Sequence, residues 1–251
     1  MKTIKQFSVF LLMMSLSSLY AQLPEEIEWK YLQKNYSADS TKLALSLNNK
    51  LLEGKYKIPL DNTSFALYDI KKGLISGDAF WYTNNGDLEC KLSYKNGVRN
   101  GLKENFDSDG KPWLREEYKD GKKDGLSEMY SNGKMSSKSE YKKGKKEGLS
   151  ITYSNGQILT QTYYKDDKRN GLSTTFYNGV IVSENNYVDD VQDGLGTIYS
   201  MGKKNMDATY QKGQRHGLAH MYKPDGSILF ESYFLLGVKV SKEEYEKYLN
   251  K

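Results

Sequence analysis

The sequence is poor in cysteine, histidine and proline. Cys90 is the single cysteine, the two histidines are His216 and His220, and there are four prolines. One cysteine excludes an intrachain disulfide and a cysteine-based zinc cluster. Hydrophobic residues are only 37% of the 251, and mean hydropathy is −0.75. That leaves too little Leu, Ile and Val for a polytopic membrane protein or a large globular core. Charge of one sign is also lacking. Lys and Arg number 37 against 32 Asp and Glu, a net charge of +5. Lys2 and Lys5 lie in an acid-free stretch of 21 residues, so the remainder carries +3. This is too weak for the basic footprint of a nucleic-acid protein, and no nucleic-acid partner is expected. What is abundant is aromatic and glycine: 13% aromatics, with 21 Tyr, and 22 Gly. That mixture does not fit a disordered tail and fits many short strands joined by tight turns.

The N-terminus runs from Met1 to Lys5 with two lysines, then Phe7 to Leu19 mostly apolar, then Ala21 before Gln22. A basic start, a short apolar stretch and a small residue read as a secretory signal peptide over residues 1–21. No cysteine follows the cut, so the expected location is periplasmic or extracellular, without a lipid anchor.

Self-similarity dominates the rest. Glycine recurs at Gly77, Gly101, Gly125, Gly148, Gly171, Gly194 and Gly217, in steps of 24 or 23. Leu follows it in six copies. Five residues on stands an aromatic: Tyr82, Phe106, Tyr130, Tyr153, Phe176, Tyr199 or Tyr222. A second glycine, such as Gly133, follows Asn or Asp in every copy but that of Met201. Eight residues later comes another aromatic: Tyr94, Tyr118, Tyr141, Tyr164, Tyr187, Tyr210 or Phe234. Asn-Gly and Asp-Gly favour two-residue type I′ turns, so each copy is one β-hairpin with glycines at its turns. Counted from the second glycine, even positions hold Leu88, Met135, Ile158, Ile181 and Ile228 and then the second aromatic, whereas odd positions are mostly polar. Alternation therefore predicts one buried and one wet face, with the fourteen aromatics as its structural repeat core and the Tyr130, Tyr153, Phe176 and Tyr199 row stacked between hairpins. Stacked hairpins bury what a lone one cannot.

The expected fold is mostly β: an elongated, twisted antiparallel β-hairpin repeat array with short N- and C-terminal helices. Its parts are an N-terminal helical or irregular cap (22–53), a degenerate first repeat (54–76), seven hairpin repeats (77–240) and a C-terminal helix (241–251). Ser241-Lys-Glu-Glu244 is a capping-box pattern opening that helix, with Tyr245, Tyr248 and Leu249 toward the sheet. Ile27, Tyr31 and Leu32 suggest a helix over Glu25–Tyr36. Residues 41–53 suit either helix or strand. The apolar last copy (Ile228, Leu229, Phe230) reads as covering an end.

Units such as Gly125-Leu-Ser-Glu-Met-Tyr-Ser-Asn-Gly133 and Tyr141-Lys-Lys-Gly-Lys-Lys-Glu-Gly148 resemble the bacterial variant of MORN repeats, found in YwqK-type antitoxin proteins. The resemblance covers residues 54–240 and implies a non-catalytic scaffold engaging proteins or lipid headgroups, with an antitoxin- or immunity-like role open to it.

No nucleophile elbow, phosphate loop or dinucleotide fingerprint is present, and no catalytic residue, metal site or cofactor is expected. His216 and His220 would be too far apart along a strand to share a metal, and read as ordinary exposed histidines. His216 aligns with Asp124, Glu147, Asn170 and Asp193 at a polar turn position. The turns between copies carry Arg99, Lys122, Lys123, Lys145, Lys146, Lys168, Arg169 and Arg215, broken only at Val191-Gln192. Such a row is a candidate site for an anionic partner, a lipid headgroup or glycan. Exposed lysines that keep a sheet soluble and block edge pairing are the simpler account. The expectation is an exported scaffold for an unknown protein partner; the alternative is an envelope-associated binder of anionic lipid or polysaccharide.

Overall fold

The computed structural model describes residues 24–36 and 42–250. The expected signal peptide, and residues 22–23 and 37–41 of the N-terminal cap, lie outside the described residues. The chain divides into two compact units, Met1–Pro112 with Tyr118–Gly121, and Trp113–Glu117 with Lys122–Lys251.

The first unit contains β1 (Glu25–Glu26), a 3-10 turn (Trp29–Tyr31), β2 (Gln33–Tyr36), β3 (Leu43–Leu47), β4 (Lys50–Leu51), β5 (Gly54–Pro59), β6 (Ser64–Lys71), β7 (Leu74–Ile75), β8 (Gly77–Thr83), β9 (Leu88–Lys95) and β10 (Val98–Phe106). Strands β5, β6, β8, β9 and β10 pair antiparallel in that order, and β1 lies parallel to β5. The helix expected over Glu25–Tyr36 is not formed. Gln33–Tyr36 pairs with Leu43–Leu47 instead, and the Ile27 N–H donates to the Lys57 carbonyl at 3.0 Å. A helix of this length is marginal alone. The extended path buries Ile27 and Leu32 and supplies their backbone with partners, while Tyr31 points to solvent. The same pairing settles residues 43–47 as strand, followed by a left-handed Asn48-Asn49 turn. Side chains from the N-terminal segment, β3, β5, β6 and β8 converge on one apolar core that includes Leu45, Ile58, Ala66, Ile70 and Ala79, all fully buried.

Strand β11 (Pro112–Lys119) contributes to both units. The second unit continues with β12 (Lys122–Ser131), β13 (Lys134–Lys142), β14 (Lys145–Ser154), β15 (Gln157–Lys165), β16 (Lys168–Tyr177), β17 (Val180–Val188), β18 (Val191–Ser200), β19 (Lys203–Gln211), β20 (Gln214–Tyr222), β21 (Ile228–Leu235), β22 (Val238–Val240) and helix α1 (Lys242–Leu249). From β12 to β22 each strand pairs antiparallel with the next. Ser241 caps α1 through the expected box with Glu244. Tyr245 and Tyr248 touch Tyr233 and His216, but Leu249 faces solvent.

The hairpin turns come in two kinds. Asn132, Asn155, Asn178 and Met201 take φ near +50° before a glycine that is also positive, as type I′ requires. At Gly86, Gly110 and Gly226 only the glycine is left-handed, and the loop is one residue longer. There the Thr83 N–H reaches the Asp87 carbonyl at 2.9 Å, and Gly86 N–H the Thr83 carbonyl at 3.0 Å. The signal was in the spacing: first and second glycines are nine apart in these copies and eight in the others. Met201 is wholly exposed and has no side-chain means of favouring φ +49°. Met201→Asn should raise stability by about 0.5–1 kcal/mol. An unchanged urea midpoint would show that the turn carries no such strain.

Faces do not divide as simple alternation predicts. Tyr130 pairs with Met135 but Met129 with Ser137, so Ser136 is a bulge, and the shift recurs in five other hairpins. The bulge sends Met135 to the Tyr130 side and Ser137, Ser139 and Tyr141 to the other. The two aromatic rows therefore occupy opposite faces, and all fourteen rings are half-buried. Buried positions in the second unit are mostly small or polar: Ser139, Ser150, Thr162, Thr174, Thr197 and Asp207. Cross-strand hydroxyl pairs satisfy three of them, Ser139 with Ser150 at 2.8 Å and Thr162 with Ser173 at 2.8 Å.

Candidate interaction surface

The third glycine of each copy, or the Asp replacing it, sits in a left-handed turn and donates its N–H to the preceding copy. Gly121 reaches the Arg99 carbonyl in the first unit. In the second, Gly144, Asp167, Asp190, Gly213 and Gly237 reach Lys123, Lys146, Arg169, Gln192 and Arg215 at 2.7–3.0 Å. A side chain secures the neighbouring N–H. Asp124 accepts from Lys143, Glu147 from Asp166 and Asp193 from Lys212. His216 does the same through Nδ1 for Leu236, at 3.3 Å. The acids at this position thus hold turns together.

This stacking divides the basic turns into two rows. Lys122, Lys145 and Lys168 are exposed, and Lys145 pairs with Asp166 at 2.9 Å, which raises the lysine pKa and lowers that of the acid. The second cation of each turn instead covers the ring of the next copy. In the first unit Arg99 lies opposite Tyr94 and 5.8 Å from the Tyr118 ring centre. In the second, Lys146 lies opposite Tyr141 and 4.6 Å from Tyr164, and Arg169 lies opposite Tyr164 and 4.1 Å from Tyr187. Lys123 covers Tyr141 at 5.1 Å and pairs with Glu116, and Arg215 covers Phe234 at 5.4 Å. Cations and aromatics alternate along this face, interrupted only where Gln192 stands. Burial lowers the Lys146 pKa. Half-desolvated cation–π contacts of this kind contribute about 0.5–2 kcal/mol each. Six of the eight candidate anion-binding residues, Arg99, Lys123, Lys145, Lys146, Arg169 and Arg215, are thus engaged within the protein.

One comparison bears on this geometry. Residues 76–96 match the family model of the MORN repeat variant. The match spans β8 and β9, one complete hairpin. MORN repeats are generally protein- or lipid-binding motifs. No curated protein matches the chain.

On the opposite face of the hairpins of the second unit, each first strand carries the Leu after its glycine and the first aromatic. Leu126, Leu149 and Leu218 are half-buried, while Leu172, Leu195 and nearby Tyr163 are exposed. Trp113 is exposed, whereas Trp81 packs edge-on against Tyr68 in the first unit. Burial raises the Cys90 thiol pKa, which disfavours the reactive thiolate.

This face also holds a network that the repeat pattern did not reveal. His220 is not an ordinary exposed histidine. Its Nδ1 lies 2.8 Å from Asp207 Oδ1 and its Nε2 lies 3.1 Å from Glu231 Oε2, because the three residues are cross-strand neighbours. Asp207 Oδ2 also accepts from Tyr222 at 2.7 Å and Lys204 at 3.3 Å. Tyr222 is pushed up to about 12 by burial and by this carboxylate. The available signal was that His220 replaces Glu128, Ile151, Thr174 and Thr197 of the other copies, with acids at both cross-strand positions. Burial opposes the Asp207 charge, but bonds from Tyr222, His220 and Lys204 outweigh it and hold the carboxyl below the usual range. A depressed carboxylate stabilises the fold above its unfolded value of about 3.9, and the gain is lost as pH falls through the folded value. Asp207→Asn should therefore flatten the acid limb of stability against pH. A limb as steep as that of the parent would remove Asp207 from that account. Among the described residues no group of three His, Cys, Asp or Glu could hold a metal ion.

Proposed function

We propose that this chain is an exported, non-catalytic scaffold that binds a protein partner across the MORN-like hairpins of its second unit. The carrying observation is the exposed apolar row of Leu172, Leu195 and Tyr163 on a face of regularly spaced strands. Such a row suits a protein surface better than a small molecule, which needs a concave pocket. The basic N-terminal stretch with its short apolar segment supports export. In the antitoxin-like reading, the partner is a toxin neutralised outside the cytoplasm.

Cross-linking the purified chain into native envelope and culture supernatant tests this. A partner captured by the parent and lost with Leu172→Glu plus Leu195→Glu, at unchanged circular dichroism, is the expected result. Capture unaffected by that pair removes the face from the reading. Edman sequencing of the secreted chain should begin at Gln22; a start at Met1 would argue against export by this route. The anionic-ligand reading draws less support, because most of the basic row already has partners. Salt-sensitive sedimentation with anionic vesicles, abolished by Lys122→Glu and Lys168→Glu, would favour it instead.

A further inference from the structure

We propose that strands β18–β21 dock an acidic amphipathic helix of a partner protein along a row formed by Ile198, Met206, Met221 and Phe230. The row lies on the face of the cation–aromatic ladder, opposite Leu172 and Leu195. Register sets its members side by side: Ile198 pairs with Met206, Met206 with Met221, and Met221 with Phe230. Through the earlier copies the same row holds hydroxyls: Ser137, Thr152, Thr160, Thr175 and Ser183, the last paired with Ile198. A hydroxyl therefore suffices for the repeat at these positions, and the large apolar side chains are surplus to its packing.

They are also uncovered. Ile198, Met221 and Phe230 are 50%, 38% and 64% exposed, so Phe230 does not cover an end as the composition of the last copy suggests. Helix α1 touches Tyr233 and His216 on the opposite face and leaves the row open. Such a run of exposed apolar side chains marks an interaction site.

Charge and spacing select the occupant. On this face the row is flanked by Lys203, opposite Ser200, and by Arg215 and Lys239, opposite Tyr210 and Phe234. None of the three has a carboxylate partner among the described residues. Asp207 and Glu231 lie on the other face with His220, and Asp193 is held in its turn by the Lys212 N–H. A face with cations and no acids repels a second copy of itself and attracts carboxylates. The row is one side chain wide, because the next row is Gly196, Ala208, Ala219 and Ser232, with Ala208 buried. That suits the narrow apolar stripe of a helix better than the breadth of a bilayer. Cross-strand neighbours lie about 4.8 Å apart. The spacing is close to the roughly 5–6 Å between i and i+4 side chains of a helix, and shorter than the roughly 6.7 Å between alternate residues of a strand. Methionines such as Met206 and Met221 adapt readily to an apolar helix.

The test selects binders of the full chain from a phage-displayed library of random peptides about 16 residues long. Enriched peptides should place Leu, Ile or Phe at i, i+3 or i+4 spacing, with Asp and Glu between them. Ile198→Thr plus Met221→Thr, which restores the hydroxyl of the other copies, should weaken their binding about tenfold or more at unchanged circular dichroism. Lys203→Glu plus Lys239→Glu should weaken it as well and reduce its salt dependence. Leu172→Glu plus Leu195→Glu should leave it intact, which separates this row from the face of the proposed function. No enrichment, enrichment of basic peptides, or equal binding to the double threonine variant overturns the proposal. So does row-dependent sedimentation with anionic vesicles, or self-association lost in the threonine variant, since either puts a bilayer or a second copy on the row.

Discussion

Gly125→Ala should destabilise the second unit by about 3 kcal/mol, the larger end of what one backbone position carries. Gly125 does not sit in a turn, as its recurrence suggests, but within β12, at φ +119°. A Cβ there would lie 1.9 Å from Glu117 Oε2 and 2.9 Å from Glu117 Cβ. That carboxylate is held over the glycine because it accepts the Leu126 N–H at 3.1 Å. Gly148 repeats the arrangement: a Cβ there would lie 2.1 Å from Glu140 Oε2, which accepts from Leu149. Two costs therefore combine, a left-handed backbone and a displaced carboxylate. Gly133→Ala separates them. Gly133 is also left-handed, but its Cβ would meet nothing within 4 Å, so the change should cost about 1 kcal/mol. Glu117→Ala in the Gly125→Ala background should recover part of the loss. Equal losses at Gly125 and Gly133 would mean that the carboxylate plays no part.

Ile58→Ala should cost the first unit about 3–4 kcal/mol, because Ile58 is wholly enclosed among Leu45, Ala66, Ile70 and Ala79 and its removal leaves a cavity. Leu149→Ala should cost only about 1 kcal/mol, since a half-buried leucine surrenders roughly half its transfer energy and leaves no closed void. Hydrogen exchange resolves the two, with protection falling in β5 and β6 for the first variant and changing little in β14 for the second. Comparable losses at the two sites would mean that the repeats hold an apolar core of their own.

The hairpins and α1 were legible because their determinants are local. Asn-Gly pairs set left-handed turns, alternation sets strands, and Ser241 with Glu244 sets a cap. The N-terminal segment was not, because Ile27 and Leu32 are spaced for a helix and only pairing with Lys57 and the Leu43–Leu47 strand makes the extended path better. The faces were misassigned for a different reason. The bulge at Ser136 recurs at Glu89, Leu159, Val182, Asn205 and Leu229, so no residue type marks it. Both members of the cation–aromatic ladder were visible in the sequence, as were the acids beside them. What joins them is the offset between copies, fixed by the turn-to-turn bonds from residues such as Gly144 and Asp167. His220 needed the same information, since Asp207 and Glu231 are 13 residues before it and 11 after it and become neighbours only through register.

Cohesion between copies in the second unit comes from stacked turns and alternating cations and rings, with no continuous apolar core among the described residues. A double-mutant cycle between Lys146 and Tyr164, using Lys146→Met and Tyr164→Leu to keep the apolar bulk, tests it most directly. The expected coupling is about 1 kcal/mol, with Lys146→Met losing its effect once the ring is gone. Effects that add to within about 0.3 kcal/mol would contradict the claim.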